Sequence, residues 1–318
     1  MKALSDPALL WLLGGTLGLL IVASFTGFVL AKKAATDSAK ATVANLNART
    51  RAWWLMVAVF AAALMTGAAG TVLLFGFCSF MALREFITLT PTRPGDHRTL
   101  FWVFFIITPL HYYFLATRWT GMFLILIPVY AFLFVPLRTA LAGDCERFLE
   151  RTSKIQWGLM VCVYCISYAP ALVVLMRIPG YEGQNAKLLF WFVAVTELSD
   201  VMQYVWGKLC GRRKIAPTVS PGKTWEGFLG GGLTTVGLGA ALWWATPFSP
   251  LHAAAMAALV VAMGFAGGLV MSAIKRDRGV KDWGGAIAGH GGFMDRLDSL
   301  SFAAPVFYHV TGYIWSGS

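Results

Sequence analysis

The stretch Leu251–Asp298 reads LHAAAMAALVVAMGFAGGLVM and then SAIKRDRGVKDWGGAIAGHGGFMDRLD, and the change of character at Ser272 sets the layout of the whole chain. Leu251 to Met271 is an apolar run long enough to cross a bilayer, for which about 20 residues suffice. The next segment gathers Lys275, Arg276, Asp277, Arg278, Lys281, Asp282, Asp295, Arg296 and Asp298 among glycines, in a chain of which only 13% is charged. From Leu300 to about Trp315 the sequence is apolar again. A charged, glycine-rich element between two spans is where chemistry is expected. Asp282, Asp295 and Asp298, interspersed with lone cations, suit a hard divalent cation that bridges carboxylates and phosphate oxygens while Lys and Arg neutralise the rest of the phosphate charge.

The same alternation extends over the chain. With 318 residues, 58% hydrophobic content and a mean hydropathy of +0.66, there is more apolar surface than a soluble domain buries. The expectation is an all-α polytopic integral membrane protein with nine to ten transmembrane or re-entrant helices, forming one membrane domain over residues 1–318. An uncleaved first span from Ala8 to about Leu30 is longer than a signal-peptide core and lacks a small-residue cleavage site. Trp53 to Met81, interrupted at Thr66–Gly70, reads as a hairpin or re-entrant pair. Further spans are expected at about Leu100–Ala116, Gly121–Leu137, Ile155–Met176, Ala186–Trp206, Phe228–Ala245, Leu251–Met271 and Leu300–Trp315. The net charge of +11 lies mostly in short links, Lys32–Arg51, Arg138–Lys154, Lys208–Lys223 and Lys275–Arg296, which is the positive-inside pattern. It points to a cytoplasmic face, an outside N-terminus and contact with membrane lipids, and away from nucleic acid. Five cysteines give no disulfide framework, and Cys162 and Cys165 inside an apolar helix read as buried thiols.

A second charged element begins at Glu197 and Asp200, three apart and so on one helical face, where lipid exposure would cost each acid roughly 2.5 to 3.5 kcal/mol at mid-membrane. The basic, turn-rich stretch Gly207–Gly227 follows. Its Gly222-Lys223-Thr224 is not a P-loop, because Pro217 stands where the earlier glycine is required. A short loop shaped by Pro221 and Gly222 would instead offer Ser220, Lys223, Thr224 and backbone N–H groups to an anion.

Taken together, these residues resemble the phosphatidate cytidylyltransferase (CDP-diacylglycerol synthase) family. Its signature is met at Ser272, Lys275, Arg276, Lys281, Asp282, His290, Gly291, Gly292, Asp295, Arg296 and Asp298. A second motif is met at Asp200, Tyr204, Ala216, Pro217, Ser220, Pro221, Lys223, Thr224, Glu226 and Gly227. The motifs fall within residues 197–227 and 268–298. Two positions depart from the family: Ala288 replaces a proline, and Gly268 stands where the family carries an acid associated with its metal centre. The chain is therefore a divergent member by this resemblance, and Glu197 is the residue expected to supply the missing carboxylate.

The resemblance implies transfer of a cytidylyl group from CTP to phosphatidic acid, giving CDP-diacylglycerol and pyrophosphate at the cytoplasmic face of the inner membrane. Mg²⁺ would be held by Asp200, Asp282, Asp295 and Asp298 with Glu197, and a second, monovalent cation is left open. Lys223, Lys275, Arg276, Lys281 and Arg296 would contact phosphates; Ser220, Pro221, Thr224, Glu226, Gly291 and Gly292 would line the substrate site. His290 suits a hydrogen-bonding or loop-structural role better than that of a base. A homodimer follows from the resemblance alone. The alternatives are a cytidylyltransferase for another lipid phosphate, a degenerate relative, and, less favoured, an anion or lipid transporter.

Overall fold

A computed structural model describes residues 6–33, 35–287, 289 and 291–316. His290, one of the expected site residues, lies outside the described residues, as do Ala34 and Ala288.

Among the described residues the chain forms ten helical rods and one small hairpin. The helices are α1 (Pro7–Lys33), α2 (Asp37–Met65), α3 (Ala68–Leu89), α4 (Pro94–Ala116), α5 (Thr120–Ala140), α6 (Phe148–Val174) and α7 (Asn185–Leu209). Strands β1 (Lys214–Ala216) and β2 (Ser220–Thr224) follow, then α8 (Trp225–Ala241), α9 (Pro250–Asp277) and α10 (Met294–Trp315). Eight of these helices, all but α8 and α10, are long and apolar enough to cross a membrane. Their outward faces carry large exposed apolar side chains, such as Trp11, Leu19, Val22 and Phe25 of α1. The protein is an integral membrane protein, and lipid is the solvent for those faces.

The helices run beyond the apolar segments, and this extension positions the site. The polar stretch at Lys32–Arg51, expected as a link, is mostly the first half of α2. Ala-rich sequence favours helix there, and Thr36 caps it by accepting from the Ala39 N–H at 3.2 Å. The break at Thr66–Gly70 is a tight turn with Gly67 at φ 74°, and α2 and α3 are each of crossing length, so no re-entrant segment is needed. Gly207–Gly227, expected as a loop, contains the antiparallel hairpin β1–β2, pairing Lys214 with Thr224 and Ala216 with Ser220.

Prolines inside a membrane helix leave carbonyls without their usual N–H. In α5, Pro128 and Pro136 do so at Leu124 and Phe132, and α6 supplies both replacements: Tyr164 OH donates to Leu124 at 3.2 Å and Gln156 to Phe132 at 2.7 Å. Each bond also fixes the register of α6 on α5.

The tightest packing lies among α7, α8, α9 and α10. Small residues set the approach, as bilayer interfaces favour: a Cβ on Gly231 of α8 would stand 2.4 Å from the Gln203 backbone of α7. Helix ends meet in one basic layer. Arg93, after α3, pairs with Asp144, after α5, at 2.7 Å, and Arg151 at the start of α6 grips the fully buried Asp96 at 2.9 Å. The hydrogen bond from Arg93 holds the Asp144 carboxyl below its ordinary range.

Candidate active site

The charged ends of α7, α9 and α10 converge with the β1–β2 hairpin. Asp200 on α7 accepts the Ser299 hydroxyl of α10 at 2.9 Å, while the Ser299 N–H donates to Asp298 at 2.7 Å. One serine therefore clasps two carboxylates, holding one oxygen of each, and the other oxygen of each has no hydrogen-bond partner among the described residues. Glu197, one turn back on α7, feels the charges of Asp200, Asp298 and Arg296.

Lys223, from β2, reaches into this group. Its Nζ donates to the Phe265 carbonyl at 3.3 Å, lies 4.4 Å above the Phe265 ring, and feels Asp200, Asp298 and Lys275. Desolvation lowers its ammonium below the ordinary lysine value, outweighing the two acids, and Lys275 adds to the lowering. A Cβ on Gly268 would lie 2.9 Å from that Nζ and 3.9 Å from Asp298 Oδ2. The ammonium thus occupies the space into which a side chain at 268 would project. The sequence departure at Gly268 and the placement of Lys223 are one structural fact.

Lys275 and Asp295 have a different task. Lys275 Nζ donates to Asp295 Oδ1 at 2.8 Å, and Asp295 Oδ2 accepts the N–H groups of Trp283 at 2.8 Å and Gly292 at 2.9 Å. Both oxygens of Asp295 are committed to folding the glycine-rich loop onto α9. Gly291, at φ 80°, and Gly292 permit this: a Cβ on Gly291 would stand 2.6 Å from Asp295 Oδ2. Arg276 ties the same loop to the hairpin, donating to Val280 at 2.9 Å and Val219 at 3.2 Å. Arg296 has a buried Nε without a hydrogen-bond partner among the described residues, and it feels Glu197 and Asp200. An uncommitted buried donor beside a carboxylate pair is a natural contact for a bound anion.

Other expected residues sit elsewhere. Lys281 and Asp282 are exposed on the loop with no side-chain partner among the described residues. Ser220 is half-buried in β2, and Pro221 and Gly222 are exposed at its edge. Thr224 is buried and caps α8 by accepting the Gly227 N–H at 3.1 Å. Glu226 accepts the Arg212 N–H at 2.9 Å and that of Arg213 at 3.1 Å, which holds its carboxyl below the usual range. These two residues position the hairpin on α8. Among the described residues no three His, Cys, Asp or Glu side chains form a ready-made metal cluster.

Two contributors escape a reading of the motifs. Ser299 is the clasp just described. Glu85, buried near the end of α3, accepts the Phe293 N–H at 3.0 Å and the Met294 N–H at 2.9 Å. It thereby caps α10 and fixes the start of the helix that carries Asp295, Arg296 and Asp298. A Cβ on Gly292 would stand 2.3 Å from its Oε2. The sequence signal was weak, because Glu85 follows Arg84 just past the apolar stretch that ends at Met81 and reads there as part of a charged link.

A family model described as "Cytidylyltransferase family" matches residues 47–314. The chain belongs to the cytidylyltransferase family. It is accordingly a nucleotidyltransferase, and the match runs from within α2 to α10, taking in the two motifs and leaving out α1. It is 39% identical over 273 residues to "Uncharacterized protein YnbB" of Escherichia coli strain K12, covering 85% of this chain and 88% of that protein. A phosphatidate cytidylyltransferase of Aquifex aeolicus is 38% identical over 142 residues, 44% of this chain and 53% of that protein. One from Pseudomonas aeruginosa is 39% identical over 146 residues, 42% and 54% respectively. The chain thus spans about half the length of these two characterised relatives.

Proposed function

We propose that this cytidylyltransferase acts on phosphatidic acid and CTP, giving CDP-diacylglycerol and pyrophosphate. The observation that carries the reading is the convergence of Asp200 and Asp298, clasped through Ser299, with Lys223 and Arg296 at one end of a membrane bundle. A phosphate oxygen of the lipid attacks the α-phosphorus of CTP; that P–O bond forms as the bond to the β-phosphate oxygen breaks and pyrophosphate leaves with its electron pair. No protein nucleophile is required, so positioning and charge neutralisation supply the catalysis. The lipid reaches the cluster from between helices and the nucleotide from the aqueous side, where the hairpin and glycine loop lie. Arg296 and Lys223 neutralise phosphate oxygens; Lys275, Asp295 and Arg276 hold the loop that shapes the nucleotide side.

The donor set suits Mg²⁺, which takes one or two carboxylates and completes its shell with water and substrate phosphates. Asp200 and Asp298, each with an oxygen unpartnered among the described residues, would hold it, with Glu197 beside them standing in for the acid absent at Gly268. Bound there, the ion would neutralise charge on the triphosphate. Asp282 and Asp295 fit this role less well, the first being exposed and the second fully hydrogen-bonded. Glu197→Ala is expected to raise the Mg²⁺ concentration needed for half-maximal rate and to lower activity; full activity with unchanged metal dependence would refute the substitution idea.

Gly268 also favours a second reading, the same reaction on another lipid phosphate, because Lys223 alters the cavity where the family carries an acid. Purified protein supplied with CTP, Mg²⁺ and phosphatidic acid should release pyrophosphate. Release only with a different lipid phosphate would select the second reading. The proposal further places the cluster at the cytoplasmic face of the inner membrane, in accord with the distribution of Lys and Arg.

A further inference from the structure

The opposite end of the bundle holds a second charged feature that the transfer reaction does not use. Cations are scarce there: among the described residues Arg118 joins α4 to α5, Arg177 follows α6, and Lys187 begins α7. Lys187 is neutralised by Asp6 at 3.1 Å and donates to Gln184 at 2.6 Å. Arg118 and Arg177 have no hydrogen-bonding or acidic partner among the described residues, and both line one cavity of about 660 Å³. Tyr308 and His309 of α10 share it, and His309 Nε2 is fixed by a 3.1 Å hydrogen bond with Tyr168 OH. Arg118 is held at φ 59°, a left-handed conformation uncommon outside glycine, by the tight turn between α4 and α5.

Both side chains are exposed and therefore hydrated, and with no acid beside them among the described residues the two guanidiniums offer their donors to an anion in one shared space. Their planar donors match phosphate oxygens in pairs. Leu175 and Met176 make part of the wall apolar, and Tyr313 beside it, 90% exposed, and Trp119, 59% exposed, are amphipathic rings of the kind that settle at headgroup depth. From Asp298 the cavity begins about 15 Å away along α10, at Tyr308, for a rise of about 1.5 Å per residue, so a phosphate held between the two arginines does not meet the reaction cluster.

We propose that this cavity binds the phosphate headgroup of an anionic phospholipid from the leaflet opposite the reaction cluster. The headgroup phosphate sits between Arg118 and Arg177, and the acyl chains follow the apolar wall into the bilayer. Lipid is favoured over free phosphate because the apolar wall and the exposed Tyr313 line the same cavity as the guanidiniums.

Full-length protein in detergent, titrated with phosphatidylglycerol and read by native mass spectrometry, tests this against an Arg118→Gln/Arg177→Gln double variant. The wild-type protein should hold one more phosphatidylglycerol than the variant, with affinity at that site falling at least about tenfold on substitution. Phosphatidylcholine of the same chain length should bind both proteins alike, inorganic phosphate should not compete, and nucleotidyl transfer by the variant should match wild type. Equal phosphatidylglycerol binding by the two proteins would overturn the site, and displacement of the lipid by inorganic phosphate would overturn the assignment to lipid. Should the double variant not fold, Arg177→Gln alone is read in the same way.

Discussion

At the scale of single residues, some charged side chains of the cluster are open to substrate and others are already committed to holding the loop. Asp295 and Asp298 look equivalent in sequence, three apart in one motif. They differ because Asp295 has both oxygens bonded to Lys275, Trp283 and Gly292, while Asp298, among the described residues, has only the Ser299 N–H. Asp298→Asn should therefore lower turnover about a hundredfold or more, as loss of a charge aimed at the reacting group does, with little change in melting temperature. Asp295→Asn should lower the melting temperature as well, because it weakens the loop. Lys223 gives a pH prediction. Its ammonium is already lowered by desolvation, so the charged form disappears as pH rises through a value below that of an ordinary lysine, and affinity for CTP falls with it. Lys223→Arg, whose guanidinium keeps its charge, should move the alkaline limb of kcat/KM upward; an unmoved limb would show that Lys223 does not meet phosphate.

At the scale of elements, what the sequence conveyed best was the set of membrane rods, since each apolar run became a helix. Less legible was how far those helices extend: Lys275 and Arg276 belong to α9, and Asp295 and Asp298 to α10, so the signature is two helix ends and a loop. A hydrophobicity pattern cannot show this, because polar residues continue a helix as readily as apolar ones once it is nucleated. The role of Glu85 was also hidden, because it depends on a contact between residues more than 200 positions apart. Glu85→Ala leaves two N–H groups at the start of α10 without their acceptor. It should cost about 1 to 3 kcal/mol and reduce activity through misplacement of Arg296 and Asp298, with Glu85→Gln intermediate; melting curves and turnover measured together check it. The Arg151–Asp96 pair, almost wholly buried, makes a contrasting case. Removing one partner strands the other, so Asp96→Ala should destabilise by about 3 to 5 kcal/mol while the folded fraction keeps its turnover.

At the scale of the whole molecule, the basic layer and the cluster share one end of the bundle, and the proposal that this end faces the cytoplasm rests on the positive-inside rule. Cys145 and Cys210 are exposed within this layer. A membrane-impermeant maleimide should label both in inside-out vesicles and neither in intact spheroplasts; the reverse pattern would invert the topology. The family could be read from spaced motifs alone, but the consequence of Gly268 could not, since it lies in what Lys223 does with the space. The central claim, transfer of a cytidylyl group at the Asp200–Asp298 cluster, is met most directly by supplying purified protein with Mg²⁺, phosphatidic acid and CTP labelled at either the α- or the γ-phosphate. The α-label should enter the lipid fraction and the γ-label should appear in pyrophosphate, both reduced in step by Asp298→Asn. Absence of α-label from the lipid, or entry of the γ-label into it, would contradict the account.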